Sequence, residues 1–98
     1  MTGVRRDDRL PFAADLDVIV AGRAGGARGH DVSVHGASFT CEFKLARGDA
    51  LQIDLSAFGL GIRGAVVRHA RVQRDRFTVG VEFFGALSSE EITLLANS

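Results

Sequence analysis

The chain has one cysteine, one proline, one methionine, no tryptophan and no tyrosine. A lone thiol, Cys41, excludes an internal disulfide and a cysteine-based metal cluster. Its place in the alternation Phe39, Cys41, Phe43 reads as a buried free thiol. Net charge is lacking too, because 12 basic residues balance 12 acidic ones. That balance argues against generic binding to nucleic acid polymers, which needs an excess of cations to release counterions. Without Trp or Tyr, a base-stacking RNA surface is only a weak alternative. No long apolar run exists near the N-terminus. Val18 to Ala21 is too short for a membrane span or a secretory signal. Arg5-Arg6 likewise lacks the apolar segment that a twin-arginine export signal requires. These absences point to a protein of the cytoplasm that makes no use of the membrane. His30, His35 and His69 show no metal-ligand spacing, so no metal site is expected.

What is present describes one small globular domain. Ninety-eight residues support a single core. The hydrophobic fraction of 46% and charged fraction of 24% are ordinary for a folded chain. Lys44 is the only lysine among the cations. Arginine suits planar, bidentate contacts, although genomic composition produces the same skew. Met1 to Pro11 is polar and charge-dense, and reads as a flexible arginine-bearing tail (1–11) ahead of the domain proper (12–98).

From Leu16 onward the apolar period is two. Leu16, Val18 and Val20 alternate, as do Leu51, Ile53 and Leu55, and then Phe77, Val79, Val81 and Phe83. Glycine-rich breaks fall at Gly22 to Gly29, Arg47-Gly48-Asp49 and Phe58 to Gly61. The spacing predicts strands over roughly 15–22, 28–34, 37–43, 49–56, 61–71 and 75–84. So many short strands predict an all-β, closed or nearly closed antiparallel barrel. Ser88 and Glu91 have capping-box spacing ahead of Ile92, Leu94 and Leu95, which predicts a short C-terminal helix.

Two short constellations carry possible chemistry. Arg5-Arg6-Asp7-Asp8-Arg9 is an Arg-x-x-x-Arg pair with an extra arginine inside. In a chain this rich in arginine about one such pair is expected by chance. Asp31-Val32-Ser33-Val34-His35-Gly36 is an Asp-x-Ser-x-x-Gly, and the same pattern recurs at Asp54-Leu55-Ser56-Ala57-Phe58-Gly59. Either copy is compatible with ordinary turn chemistry, since both side chains bond nearby amides. Gly59-x-Gly61-x-x-Gly64 matches a dinucleotide fingerprint, but strand-like Ala65-Val66-Val67 follows where a helix should. Asp31, Ser33 and His35 have the residue types of a catalytic triad without a nucleophile elbow.

In order and distance, Arg5-Arg6-x-x-Arg9 followed 22 residues later by Asp31-x-Ser33-x-x-Gly36 resembles the PilZ domain family. Gly64-Ala65-Val66-Val67-Arg68 and Val79-Gly80-Val81-Glu82-Phe83 resemble that family's final strands. The resemblance implies a six-stranded antiparallel barrel with a short C-terminal helix. It also implies a bacterial, non-enzymatic receptor for the second messenger cyclic di-GMP. It assigns ligand binding to Arg5, Arg6, Arg9, Asp31, Ser33 and Gly36, with no cofactor, no catalytic residue and a downstream protein partner. A degenerate interaction module that no longer binds the ligand is the alternative. His35 departs from the small residue common at its position. The residue types suit such a ligand. Guanine presents O6 and N7 to a guanidinium fork, and its N–H edge suits a carboxylate. Phosphates favour arginine as well.

Overall fold

The structure, a computed structural model, describes residues 9–97. Its strands are β1 (Leu10–Pro11), β2 (Asp15–Val20), β3 (Arg23–Val32), β4 (Gly36–Cys41), β5 (Ala50–Asp54), β6 (Ile62–Gln73) and β7 (Arg76–Phe83). A 3-10 turn covers Ser56–Phe58 and one helix, α1, covers Ser89–Ala96. The sheet order is β1-β3-β2-β5-β6-β7-β4, and a further β3–β4 pairing closes it. Strands β2 to β7 thus form a closed six-stranded antiparallel barrel with α1 at its C-terminal end. Strand β1 continues β2's line along one edge of β3. Leu10 and Pro11, expected as the end of the tail, pair with Val32 and Asp31.

The core follows the period-two pattern. Val18, Phe39, Cys41, Ile53, Ala65, Val67 and Val79 are almost wholly buried. Burial in this apolar interior raises the Cys41 thiol's pKa above its ordinary value, so it stays a protonated core residue. The turn between β2 and β3 is Ala21-Gly22, with φ of 51° and 80° between the paired Val20 and Arg23. That is a type I′ hairpin, whose twist matches the strands it joins.

One expectation needs correction. The glycine-rich stretch Gly22 to Gly29 is not a break, because β3 starts at Arg23 and runs straight through it. These glycines make room for packing. A Cβ on Gly25 would lie 2.5 Å from the Phe43 ring, and one on Gly29 would lie 2.5 Å from the Phe12 carbonyl oxygen. Glycine weakens a strand in isolation, but here neighbours occupy the space of the missing side chains.

The expected helix is present with its capping box. Ser88 Oγ accepts from the Glu91 N–H at 3.1 Å, and Glu91 Oε1 accepts from the Ser88 N–H at 2.9 Å. Ile92 and Leu95 are buried. Leu95 faces the same small apolar space as Phe12, Val32, Leu55 and Phe83, so the helix plugs one end of the barrel. An Arg63 Nη2–Glu91 Oε2 ion pair of 2.6 Å ties it to β6.

Candidate ligand-binding site

Strand β3 carries a β-bulge between Gly29 and Asp31. Ala27, Gly29 and Val32 are buried, whereas His30 is exposed and Asp31 partly exposed. The bulge therefore turns two consecutive side chains to the outer surface, as bulges do when they re-aim a side chain. His30 Nε2 and Thr40 Oγ1 are 2.5 Å apart across the strands. Asp31 sits opposite Ser38 on β4 and Pro11 on β1.

Strand β1 positions the first arginine. With Pro11 paired to Asp31, and the Phe12 N–H donating to the His30 carbonyl at 3.0 Å, Arg9 lies beside β3. Arg9 Nη1 meets Asp31 Oδ1 at 2.6 Å. The two motifs, 22 positions apart in the chain, are thus in direct contact. Arg5 and Arg6 lie outside the described residues.

Ser33 and Gly36 close the β3–β4 hairpin. The Ser33 N–H donates to the Gly36 carbonyl at 2.8 Å, and Ser33 Oγ accepts from the Gly36 N–H at 3.2 Å. The carbonyls of the two loop residues are anchored as well. Phe83 N–H donates to His35 O at 2.7 Å and Leu87 N–H to Val34 O at 2.8 Å. Ser33 is buried, and its hydroxyl is already engaged in the turn. Gly36 is needed for close approach, because a Cβ there would collide with the Val81 carbonyl of β7. These two residues shape the end of the site, while Arg9 and Asp31 expose their charged groups on it.

The second Asp-x-Ser copy is built differently. Asp54 Oδ1 accepts from the Ser56 N–H at 2.9 Å, opening the 3-10 turn that ends at Gly59 with φ of 80°. Hydrogen bonds from Ser56, its side chain foremost, hold the Asp54 carboxyl below its ordinary pKa. Gly61, with φ of 70°, then leads into β6, where Gly64 pairs with Gln52, so two of the fingerprint-like glycines are turn residues and the third is a strand residue.

One contributor was missed from the sequence. Register places Asp31, Ser38, Gly80 and His69 in one row across β3, β4, β7 and β6. The His69 imidazole lies directly over Gly80, where any Cβ would clash with the ring. A flat ring thus extends the surface that begins at Arg9 and Asp31. The only sequence signal was a histidine and a glycine on adjacent strands, and their register was not readable.

A family model for the PilZ domain matches residues 4–98. The chain belongs to the PilZ domain family. No curated protein matches it significantly. PilZ domains are ligand-binding receptor modules rather than enzymes, and generally bind cyclic di-GMP. In this PilZ domain no described helix is long and apolar enough to cross a membrane. Among the described residues no group of three or more His, Cys, Asp or Glu could hold a metal ion.

Proposed function

We propose that this PilZ domain is a bacterial, cytoplasmic receptor for cyclic di-GMP that passes the signal to a protein partner. The observation that carries the reading is the Arg9–Asp31 contact on the outer face of β3. It joins the two expected ligand motifs at one exposed point. A guanidinium fork there complements guanine O6 and N7 or a phosphate, and the carboxylate complements the guanine N–H edge. Arg5 and Arg6 precede Arg9 closely enough in sequence to add to the same cluster. The ligand exchanges places with an exposed ion pair, a contact contributing about 0–1 kcal/mol. Little stability is therefore surrendered on binding.

A second reading, a PilZ-like interaction module that does not bind the nucleotide, has its own support. Arg9, Asp31 and Ser33 all have partners inside the chain. Isothermal titration with cyclic di-GMP separates the two. The receptor reading expects micromolar affinity, on the order of −8 kcal/mol. Neither heat nor a thermal shift at saturating nucleotide would leave the module reading standing.

A further inference from the structure

Strand β4 stops at Cys41, whereas β3 extends past that level over Arg23 to Gly26 and β7 by Arg76 alone. Strand β3 pairs with β4 only from Ala27 to Val32, so Arg23 to Gly26 are paired with β2 alone. Strand β7 pairs with β4 from Phe77 to Glu82, and Arg76 lies beyond that ladder. After Cys41 the chain leaves the sheet, with Cys41 Sγ donating to the Phe43 carbonyl at 3.6 Å and the Phe43 ring packed on Gly25. Beside the missing continuation of β4 is an open groove of about 870 Å³, whose lining includes Arg23, Gly26, Phe43, Lys44 and Arg76.

Register shows which backbone groups face that groove. The Gly29 N–H donates to Ala14 O, on the β2 side, at 2.8 Å. By strand alternation Ala27, Gly25 and Arg23 also direct N–H and C=O toward β2. The paired Val20 and Arg23 that close the hairpin agree with this phase. Ala24 and Gly26 therefore direct theirs into the groove. Neither residue shields them, since Ala24 is small and a Cβ on Gly26 would meet nothing within 4 Å.

We infer that this notch binds an extended acidic peptide segment of a partner protein, added as a strand beside Ala24 and Gly26 in β4's line. Strand addition to an exposed edge draws affinity from main-chain hydrogen bonds and specificity from side chains. The occupant is a single strand rather than the sheet edge of a second copy. Where Gly26 and Arg76 flank β4's line the gap is that of one strand, about 10 Å, twice the inter-strand spacing. Charge selects the peptide. Arg28 is engaged with Asp15 at 3.1 Å and Arg76 with Glu42 at 3.8 Å, but Arg23 and Lys44 have no ion pair among the described residues. Asp17 and Asp54 also line the groove without an ion pair among the described residues. They sit opposite each other on β2 and β5, with Asp17 opposite Gly26, so the peptide's acidic residues belong near Arg23 and Lys44 rather than facing Gly26. The notch lies further along β3 from Asp31, so its occupancy does not depend on nucleotide binding.

Amide NMR on the full chain tests this with two blocked peptides that alternate valine and threonine, one ending in glutamates and the other in lysines. Without peptide, the Ala24 and Gly26 amides should exchange freely while Gly25 and Ala27 are protected. The glutamate peptide should shift and protect Ala24 and Gly26, and the lysine peptide should bind several-fold more weakly. Gly26→Pro removes an N–H that faces the groove and none that bonds β2, so it should abolish the effect. Arg23→Glu, a surface change, should reverse the peptide preference and serves if the proline variant fails to fold. Protected Ala24 and Gly26 amides in the free chain, no shift at millimolar peptide, or equal binding of both peptides would overturn the proposal. Concentration-dependent shifts there without peptide would assign the edge to a second copy and overturn it as well.

Discussion

Arg9 and Asp31 carry the electrostatics of the candidate site, with side chains 49% and 33% exposed. If Arg9 acts as a planar fork, Arg9→Lys should lose cyclic di-GMP affinity almost as fully as Arg9→Ala, because an ammonium cannot make the bidentate contact. Near-normal calorimetric affinity for the lysine variant would show that only a point charge matters. Asp31→Ala should weaken binding by about tenfold or more, a loss of ~1.4 kcal/mol. Asp54→Ala should leave it unchanged, because Asp54 is engaged by Ser56 in its own turn. Gly36→Ala tests the hairpin's approach to β7. The added methyl meets the Val81 carbonyl, and such overpacking costs about 1–3 kcal/mol, readable by denaturant unfolding. Ser33→Ala leaves the buried Gly36 N–H without its side-chain partner, so reduced binding there should come with reduced stability. The resemblance in order and distance favoured Asp31 over Asp54 as the ligand residue, a choice that the two aspartate variants test. That Ser33 faces its own turn was decided by the hairpin geometry.

Among the elements, α1 has the clearest pH signature. The Ser88 N–H, followed by Arg63, holds the Glu91 carboxyl below its ordinary value of 4.5. A depressed carboxyl stabilises the fold above its unfolded pKa, and that contribution disappears as pH falls through the lower, folded value. The thermal midpoint should therefore fall on acidification below the ordinary glutamate range, and fall less in Glu91→Gln. Ser88→Ala removes the cap and should cost about 1 kcal/mol. A midpoint insensitive to both changes would mean that the helix is held by Ile92 and Leu95 alone. This helix was readable because a capping box is local chemistry. Strand β3 was misread for the converse reason. Its glycines look like punctuation until Phe43 and Phe12 are seen filling the space above them.

For the whole molecule, the receptor reading predicts a change at the N-terminal arginines when nucleotide binds. Trypsin should cut after Arg5, Arg6 or Arg9 more slowly in saturating cyclic di-GMP, while the barrel resists in both states. Fixing backbone costs about 1–2 kcal/mol per residue, so removing one arginine should nearly abolish binding where that cost has to be met. Identical cleavage with and without nucleotide would refute the protection while leaving affinity to the calorimeter. Barrel closure through β3 and β4 underlies the expected resistance, because the core strands have partners on both edges.

The sequence alone determined the six barrel strands, the capped helix and the buried thiol, and its resemblance to PilZ domains set the arginine motif beside one Asp-x-Ser motif. Each rests on information local to the chain: period two, turn residues, fixed spacing. Tertiary structure decided the rest. The bulge at His30 turned Asp31 outward, β1 brought Arg9 onto it, and register aligned His69 with Asp31. Register likewise left Ala24 and Gly26 facing an open groove. These are relations between strands distant in sequence, and a one-residue slip in any pairing would turn every such side chain to the opposite face.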